Sequence, residues 1–160
     1  MSIFANFYES PIGFLEIKGN ESHILSIFFV EKEALNTSLP SNEIVEKAVT
    51  QLAEYFNHQR KTFDFAIDPQ GTDFQKKVWQ ELAKIPFGKT TTYLQMSKNL
   101  QNVKAIRAVG TSNGKNPLTI VLPCHRVVGS DGSLTGYAGG LWRKKWLLDF
   151  EQNQLETALF

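Results

Sequence analysis

Strand-type residues fill the first thirty positions of this chain, and helical spacing governs most of it beyond residue 42. Strands first and helices after is the order of an α+β fold. Ile3 to Tyr8, Phe14 to Lys18 and Ile24 to Val30 are runs of β-branched and aromatic side chains. Ser10-Pro11-Ile12-Gly13 and Gly19-Asn20 part them and are turn chemistry, so a small three-stranded antiparallel sheet is expected. Asn42 to Phe56 then carries Ile44, Val45, Ala48, Val49, Leu52, Tyr55 and Phe56, a spacing that turns one helix face inward. Phe63, Phe65 and Ile67 alternate with polar or small residues, as in a half-buried strand.

Asp68-Pro69-Gln70-Gly71 reads as a linker, and the charge changes sign there. Residues 1–70 hold five Lys/Arg against ten Asp/Glu, and residues 71–160 hold twelve against six. The expectation is one domain over 1–70 and another over 71–160, with only the second suited to a polyanion. Thr72-Asp73-Phe74-Gln75 has the form of a capping box. The helix it opens turns Phe74, Val78, Leu82 and Ile85 inward and stops before Pro86. One short helix starts near the threonines at 90–92 and runs to about Leu100, and a second covers Val103 to Ser112. Two short helices with a brief turn match a helix-turn-helix, whose second member usually recognises DNA. That second helix is rich in small residues, Ala105, Ala108, Gly110, Thr111 and Ser112, with Arg107 projecting among them. A last helix begins after Gly139-Gly140, with Glu151 near its end; Trp79, Trp142 and Trp146 read as core residues.

The single cysteine lies in Pro123-Cys124-His125-Arg126-Val127, where the strand-like run Leu118 to Leu122 breaks. A lone cysteine by itself is usually a small buried hydrophobe. A thiol beside a histidine is also a nucleophile beside a base. One cysteine excludes a disulfide framework and any multi-cysteine zinc site, and His23, His58 and His125 share no metal-binding spacing. No metal and no cofactor are expected. No segment approaches a membrane span, and the N-terminus has no basic region followed by an apolar one, so a cytoplasmic protein is expected, nuclear if the source is eukaryotic.

These residues together resemble the O6-alkylguanine-DNA alkyltransferases. The blocks that carry the resemblance are Gly71-Thr72-Asp73-Phe74-Gln75 with Val78-Trp79, and Ile85-Pro86-Phe87-Gly88-Lys89 leading to Tyr93. They continue with Ala105-Ile106-Arg107-Ala108-Val109-Gly110, Asn116-Pro117, Pro123-Cys124-His125-Arg126-Val127-Val128 and Gly136-Tyr137-Ala138-Gly139-Gly140-Leu141. Trp146-Leu147-Leu148 and Glu151 complete the match, which covers residues 71 to about 153.

The resemblance implies a ribonuclease H-like N-terminal domain serving as structural support and a C-terminal winged helix-turn-helix domain. It implies direct repair, in which duplex DNA is bound in the minor groove and a damaged guanine is flipped out. Cys124 would take the O6-alkyl group irreversibly, once per protein, and O4-alkylthymine would be a further substrate. Arg107 would fill the gap in the base stack, with Ala105, Ala108, Gly110, Thr111 and Ser112 along the DNA-facing helix. His125, through a water, and Glu151 would activate the thiol, a variant of triad logic. Tyr93 would donate its hydroxyl to the guanine ring, Asn116 would shape the pocket, and Tyr137 would pack along the base. The carbonyls of Cys124 and Val127 would read the exocyclic amine, and the amide of Ala138 would face O6. Position 138 is Ala where some members have Ser, and the N-terminal cysteines that hold zinc in some relatives are absent. A monomer in solution is expected, with cooperativity on DNA left open.

Two other classes compete. A non-catalytic damage sensor would flip the same base, but such proteins lack the cysteine. A thiol hydrolase built on Cys124, His125 and Glu151 would leave Arg107 and the basic C-terminal half without a role.

Overall fold

The computed structural model of the chain describes residues 2–35 and 38–158. Two compact units emerge, Met1–Gln70 with Pro117–Thr119, and Gly71–Asn116 with Ile120–Phe160.

In the first unit, β1 (Phe4–Ser10), β2 (Gly13–Gly19) and β3 (Ile24–Val30) form an antiparallel sheet in the order β1-β2-β3. The period-two rule is plain in β2, where Leu15 and Ile17 are buried while Glu16 and Lys18 are half-exposed. Helix α1 (Glu43–Phe56) covers the sheet with Val45, Ala48, Leu52, Tyr55 and Phe56, and Asn42 caps it by accepting from the Val45 amide.

The outer edge of β3 is used by two later segments. Ile24 makes one isolated bridge to Ile67, and this is all that becomes of the strand expected over 63–67. Farther along, the Ile27 amide donates to the Pro117 carbonyl (2.8 Å) and the Thr119 amide donates to the Ile27 carbonyl (3.1 Å). Leu118 sits between them, fully buried. In the parallel register of the Ile24–Ile67 bridge, residues 63–65 run beside residues 20–22, ahead of β3, so the bridge extends into no ladder. The run Leu118 to Leu122 is correspondingly not one strand. Ile120, buried, has φ 73°, a left-handed turn for a β-branched residue. Such a conformation costs about 1–3 kcal/mol and persists only where its surroundings dictate it.

The second unit opens with α2 (Asp73–Leu82), whose capping box is complete: Thr72 accepts from the Gln75 amide and the Gln75 side chain accepts from the Thr72 amide. A short parallel pair, β4 (Thr91–Thr92) with β5 (Val127–Val128), leads directly into α3 (Tyr93–Asn99), capped by Thr92. A 3-10 turn over Val103–Ala105 precedes α4 (Ile106–Gly114), so α4 starts three residues later than its sequence suggests. Helix α5 (Leu141–Ala158) closes the unit. Val78, Trp79, Leu82, Met96, Val109, Ile120, Leu122 and Leu147 form its apolar core. The fold is α+β, as the order of strands and helices indicates. Trp142 is a correction: it is 58% exposed, not core, and the Arg143 guanidinium stacks on its ring at 4.6 Å. Among the described residues no helix is long and apolar enough to cross a membrane.

Candidate active site

Cys124 begins a 3-10 turn, Cys124–Arg126, directly after Pro123. The turn lets adjacent side chains diverge from the strict alternation of a strand. Cys124 is 6% exposed and His125 is fully buried. The His125 Nε2 lies 2.8 Å from Glu151 Oε2, and Nδ1 has no hydrogen-bond partner among the described residues. Burial pushes the imidazole below its ordinary pKa, and the carboxylate only partly opposes this. The ring is therefore neutral at pH 7, with Nε2–H donating to Glu151 and Nδ1 open to accept a proton.

Glu151 is fully buried yet ionised. Burial alone would raise its pKa, but His125 and Arg126 hold it well below the ordinary carboxylate range. Arg126 donates to it twice, from Nε to Oε1 (2.8 Å) and from Nη2 to Oε2 (2.9 Å). Its remaining Nη1 donates to the Ile85 carbonyl at 2.7 Å, and the Gly88 amide donates to Oε1 at 3.3 Å. Every side of the carboxylate is thus engaged. Burial pushes the Cys124 thiol up from its ordinary pKa, while the Asn116 amide, hydrogen-bonded to it, and the Lys144 charge act in the opposite sense. Asn116 also donates to the Leu122 carbonyl at 2.7 Å, fixing the approach to the cysteine.

Tyr93 stands at the first position of α3, and its hydroxyl donates to the Thr135 carbonyl at 3.1 Å. Lys144, fully buried, donates from Nζ to the same carbonyl at 2.8 Å and lies 3.4 Å from the Tyr93 hydroxyl. A lysine with only carbonyl and phenol partners is costly to bury. Tyr137 is half-buried, but its hydroxyl is buried without a partner among the described residues, and burial pushes that phenol well above its ordinary pKa. Val127 is buried in β5, and Ala138 lies exposed in the loop before α5.

On α4, Arg107 is exposed in the first turn and lines a cleft of about 490 Å³ with Tyr93, Gly110, Thr135 and Gly136. Ala108 and Thr111 are exposed, and Ala105 and Gly110 are half-buried. Ser112 departs from the expected face: it is 4% exposed, and its carbonyl accepts from Trp79 Nε1 at 2.9 Å. Its place is inside the unit, because five residues separate it from Arg107 and turn it to the helix's other side.

Three buried residues were not singled out by sequence reasoning: Arg126, Lys144 and Asn113. For Lys144 a signal exists. Lys144, Leu147, Leu148 and Glu151 fall at helical spacing and form the buried stripe of α5, so two charges stand in an inward row. The Arg126–Glu151 pairing spans 25 residues and leaves no periodic trace. Among the described residues no group of three or more His, Cys, Asp or Glu is placed to hold a metal.

Comparison with known proteins agrees with this geometry over both units. Residues 3–69 match the ribonuclease-like domain of 6-O-methylguanine DNA methyltransferase, and residues 73–153 match its DNA binding domain. The methylated-DNA–protein-cysteine methyltransferase of Methanosarcina barkeri is 42% identical over 158 residues, covering 96% of this chain and 99% of the relative. That of Mycobacterium tuberculosis is 41% identical over 154 residues, covering 94% and 93%. The crystal structure of Mycobacterium tuberculosis O6-methylguanine methyltransferase superposes with a TM-score of 0.85 at 37% identity, covering 95% of this chain and 94% of that one. The same organism's protein in complex with DNA gives 0.84 at 38% identity, covering 96% and 94%. With both domains matched in order and a buried cysteine, histidine and glutamate at the heart of the second, the chain belongs to the 6-O-methylguanine DNA methyltransferase family.

Proposed function

We propose that this chain repairs DNA directly, taking the alkyl group from O6-alkylguanine onto Cys124 and keeping it. One observation carries the reading. Cys124 is buried beside a neutral His125 whose Nε2 is committed to Glu151 and whose Nδ1 is open. A sulfur so placed cannot reach a base inside the duplex, so the base must be extruded to it. Arg107, exposed at the start of α4, suits the gap that extrusion leaves, and the small exposed residues Ala108 and Thr111 suit a close, minor-groove approach.

The step balances within the chain. The thiol proton passes to His125 Nδ1, through a water as the resemblance implies. The sulfur attacks the alkyl carbon, an S–C bond forms and the C–O6 bond breaks. The departing guanine takes up a proton, for which the Tyr93 hydroxyl is the donor the resemblance implies. Lys144, 3.4 Å from that hydroxyl, and the Asn116 amide on the thiol both favour negative charge as it develops. The thioether is not readily hydrolysed, so the protein reacts once. Residues 1–70 supply structural support in this reading.

Lys144→Met keeps the side chain's length and removes its charge. It is expected to slow alkyl transfer at saturating duplex by about 10²-fold, the loss typical of one donor to developing charge. An unchanged single-turnover rate would confine Lys144 to packing.

Intact-protein mass after mixing with excess duplex carrying one O6-methylguanine tests the function itself. The expected result is a gain of one methyl, located on Cys124, with no second gain on longer incubation. Tight binding without a mass change would make the protein a sensor. Repeated turnover of a small thiol-reactive ester would make it a hydrolase.

A further inference from the structure

Asn113, in the last turn of α4, is 2% exposed, and its side-chain oxygen is buried with no hydrogen-bond partner among the described residues. Its Nδ2 donates to the Cys124 carbonyl at 3.4 Å, the long end of the range. The same carbonyl also accepts from the Val127 amide, which closes the 3-10 turn. An unsatisfied buried acceptor costs about 1–3 kcal/mol, and a leucine would fill nearly the same space without that cost. The neighbouring Asn116 shows what a fully used amide looks like here, with a 2.7 Å bond to the Leu122 carbonyl and a second to the thiol. Asn113 is different: a weak donor bond on one side and an idle acceptor on the other.

The Cys124 carbonyl already accepts from two amides, so the acceptor left open here is Asn113 Oδ1, and its chemical complement is an amino group. Among extruded bases with an alkylated oxygen, guanine carries such a group at position 2, and thymine does not. We propose that Asn113 is a specificity-determining residue that orients the Cys124 carbonyl and offers its own Oδ1 toward the guanine 2-amino group. The inference rests on the alkyl-transfer reading above.

A chemical double-mutant cycle tests it. Wild type and Asn113→Leu are each reacted, in single turnover at saturating concentration, with duplexes carrying O6-methylguanine or O6-methylhypoxanthine, the same base without its 2-amine. Asn113→Leu is expected to melt no lower than wild type, to lose about tenfold in rate on O6-methylguanine, and to lose little on O6-methylhypoxanthine. Equal losses on both bases would make Asn113 a structural residue, and no loss on either would make its idle oxygen a tolerated defect; both overturn the proposal. If the leucine variant does not fold, Asn113→Ala carries the same cycle, since its readout is a ratio between two bases. Wild type that takes no methyl from either duplex would instead refute the alkyl-transfer reading.

Discussion

Glu151→Gln is expected to lower stability by about 3–5 kcal/mol and to slow alkyl transfer. The carboxylate faces two buried groups, His125 at 2.8 Å and Arg126 through two bonds of 2.8 and 2.9 Å. An amide of the same shape leaves the Arg126 charge buried without a counter-charge, and breaking such a pair from one side has that cost. It also leaves one acceptor oxygen for which Arg126 and His125 compete, so the His125 tautomer is no longer fixed with Nδ1 open. Urea melts give the first quantity and single-turnover mass measurements the second. Replacing both partners, Arg126→Met with Glu151→Met, separates them: stability should return toward wild type while the rate stays low. Wild-type stability in Glu151→Gln would mean that the pair contributes nothing.

The same pair sets an acid limit. Glu151 is held below its unfolded pKa, about 4.3, so its contribution is present above that pH and is lost as pH falls further. His125 is held neutral, below its unfolded pKa of about 6.5, so stability begins to decline once the unfolded chain binds that proton. Melting temperature should therefore fall from about pH 6.5 downward, and in Glu151→Gln the part of the fall below about pH 4.3 should be smaller, with Asp64 and Asp131, also held low, still contributing.

The second large effect is expected at Arg107. Extruding a base costs a few kcal/mol, and a side chain that occupies the vacated stack offsets part of it. If Arg107 supplies about 3 kcal/mol, Arg107→Ala should react about 10²-fold more slowly with O6-methylguanine in duplex DNA. Reaction with the free base O6-benzylguanine should be nearly unchanged, because nothing needs to be flipped. Arg107 is exposed on α4 and lines the cleft beside Tyr93, so the substitution leaves the buried charges untouched. Equal losses on both substrates would remove the gap-filling role.

Local chemistry made much of this legible in the sequence. The Thr72–Gln75 capping box, the turns between strands and the glycines before α5 act over a few residues, and each lies where the sequence places it. Cys124, His125 and Glu151 were accessible as types, but only the fold shows that Arg126 shares the carboxylate. Ser112 was misplaced because small size alone does not say which side of α4 faces out. Trp142 was misplaced because aromatic bulk usually means core, whereas here Arg143 covers one face of the ring at the start of α5. Residues 63–67 alternate like a strand, but only Ile67 reaches β3, because the parallel register sets residues 63–65 beside residues 20–22, while residues 117–119, from far along the chain, take the β3 edge at Ile27.

That borrowed edge has a bearing on how the protein can be taken apart. The link at residues 68–71 looks like a natural place to cut, yet three residues of the first unit are encoded after it. A fragment beginning at Gly71 would carry Pro117–Thr119 without Ile27, exposing the Leu118 side chain and freeing a strand edge for other chains. The left-handed Ile120, four residues before the nucleophile, would lose the anchor on its N-terminal side. Two sequence domains are thus one interleaved polypeptide, in which exchanging the N-terminal half between relatives also exchanges the seat of the segment that leads to Cys124.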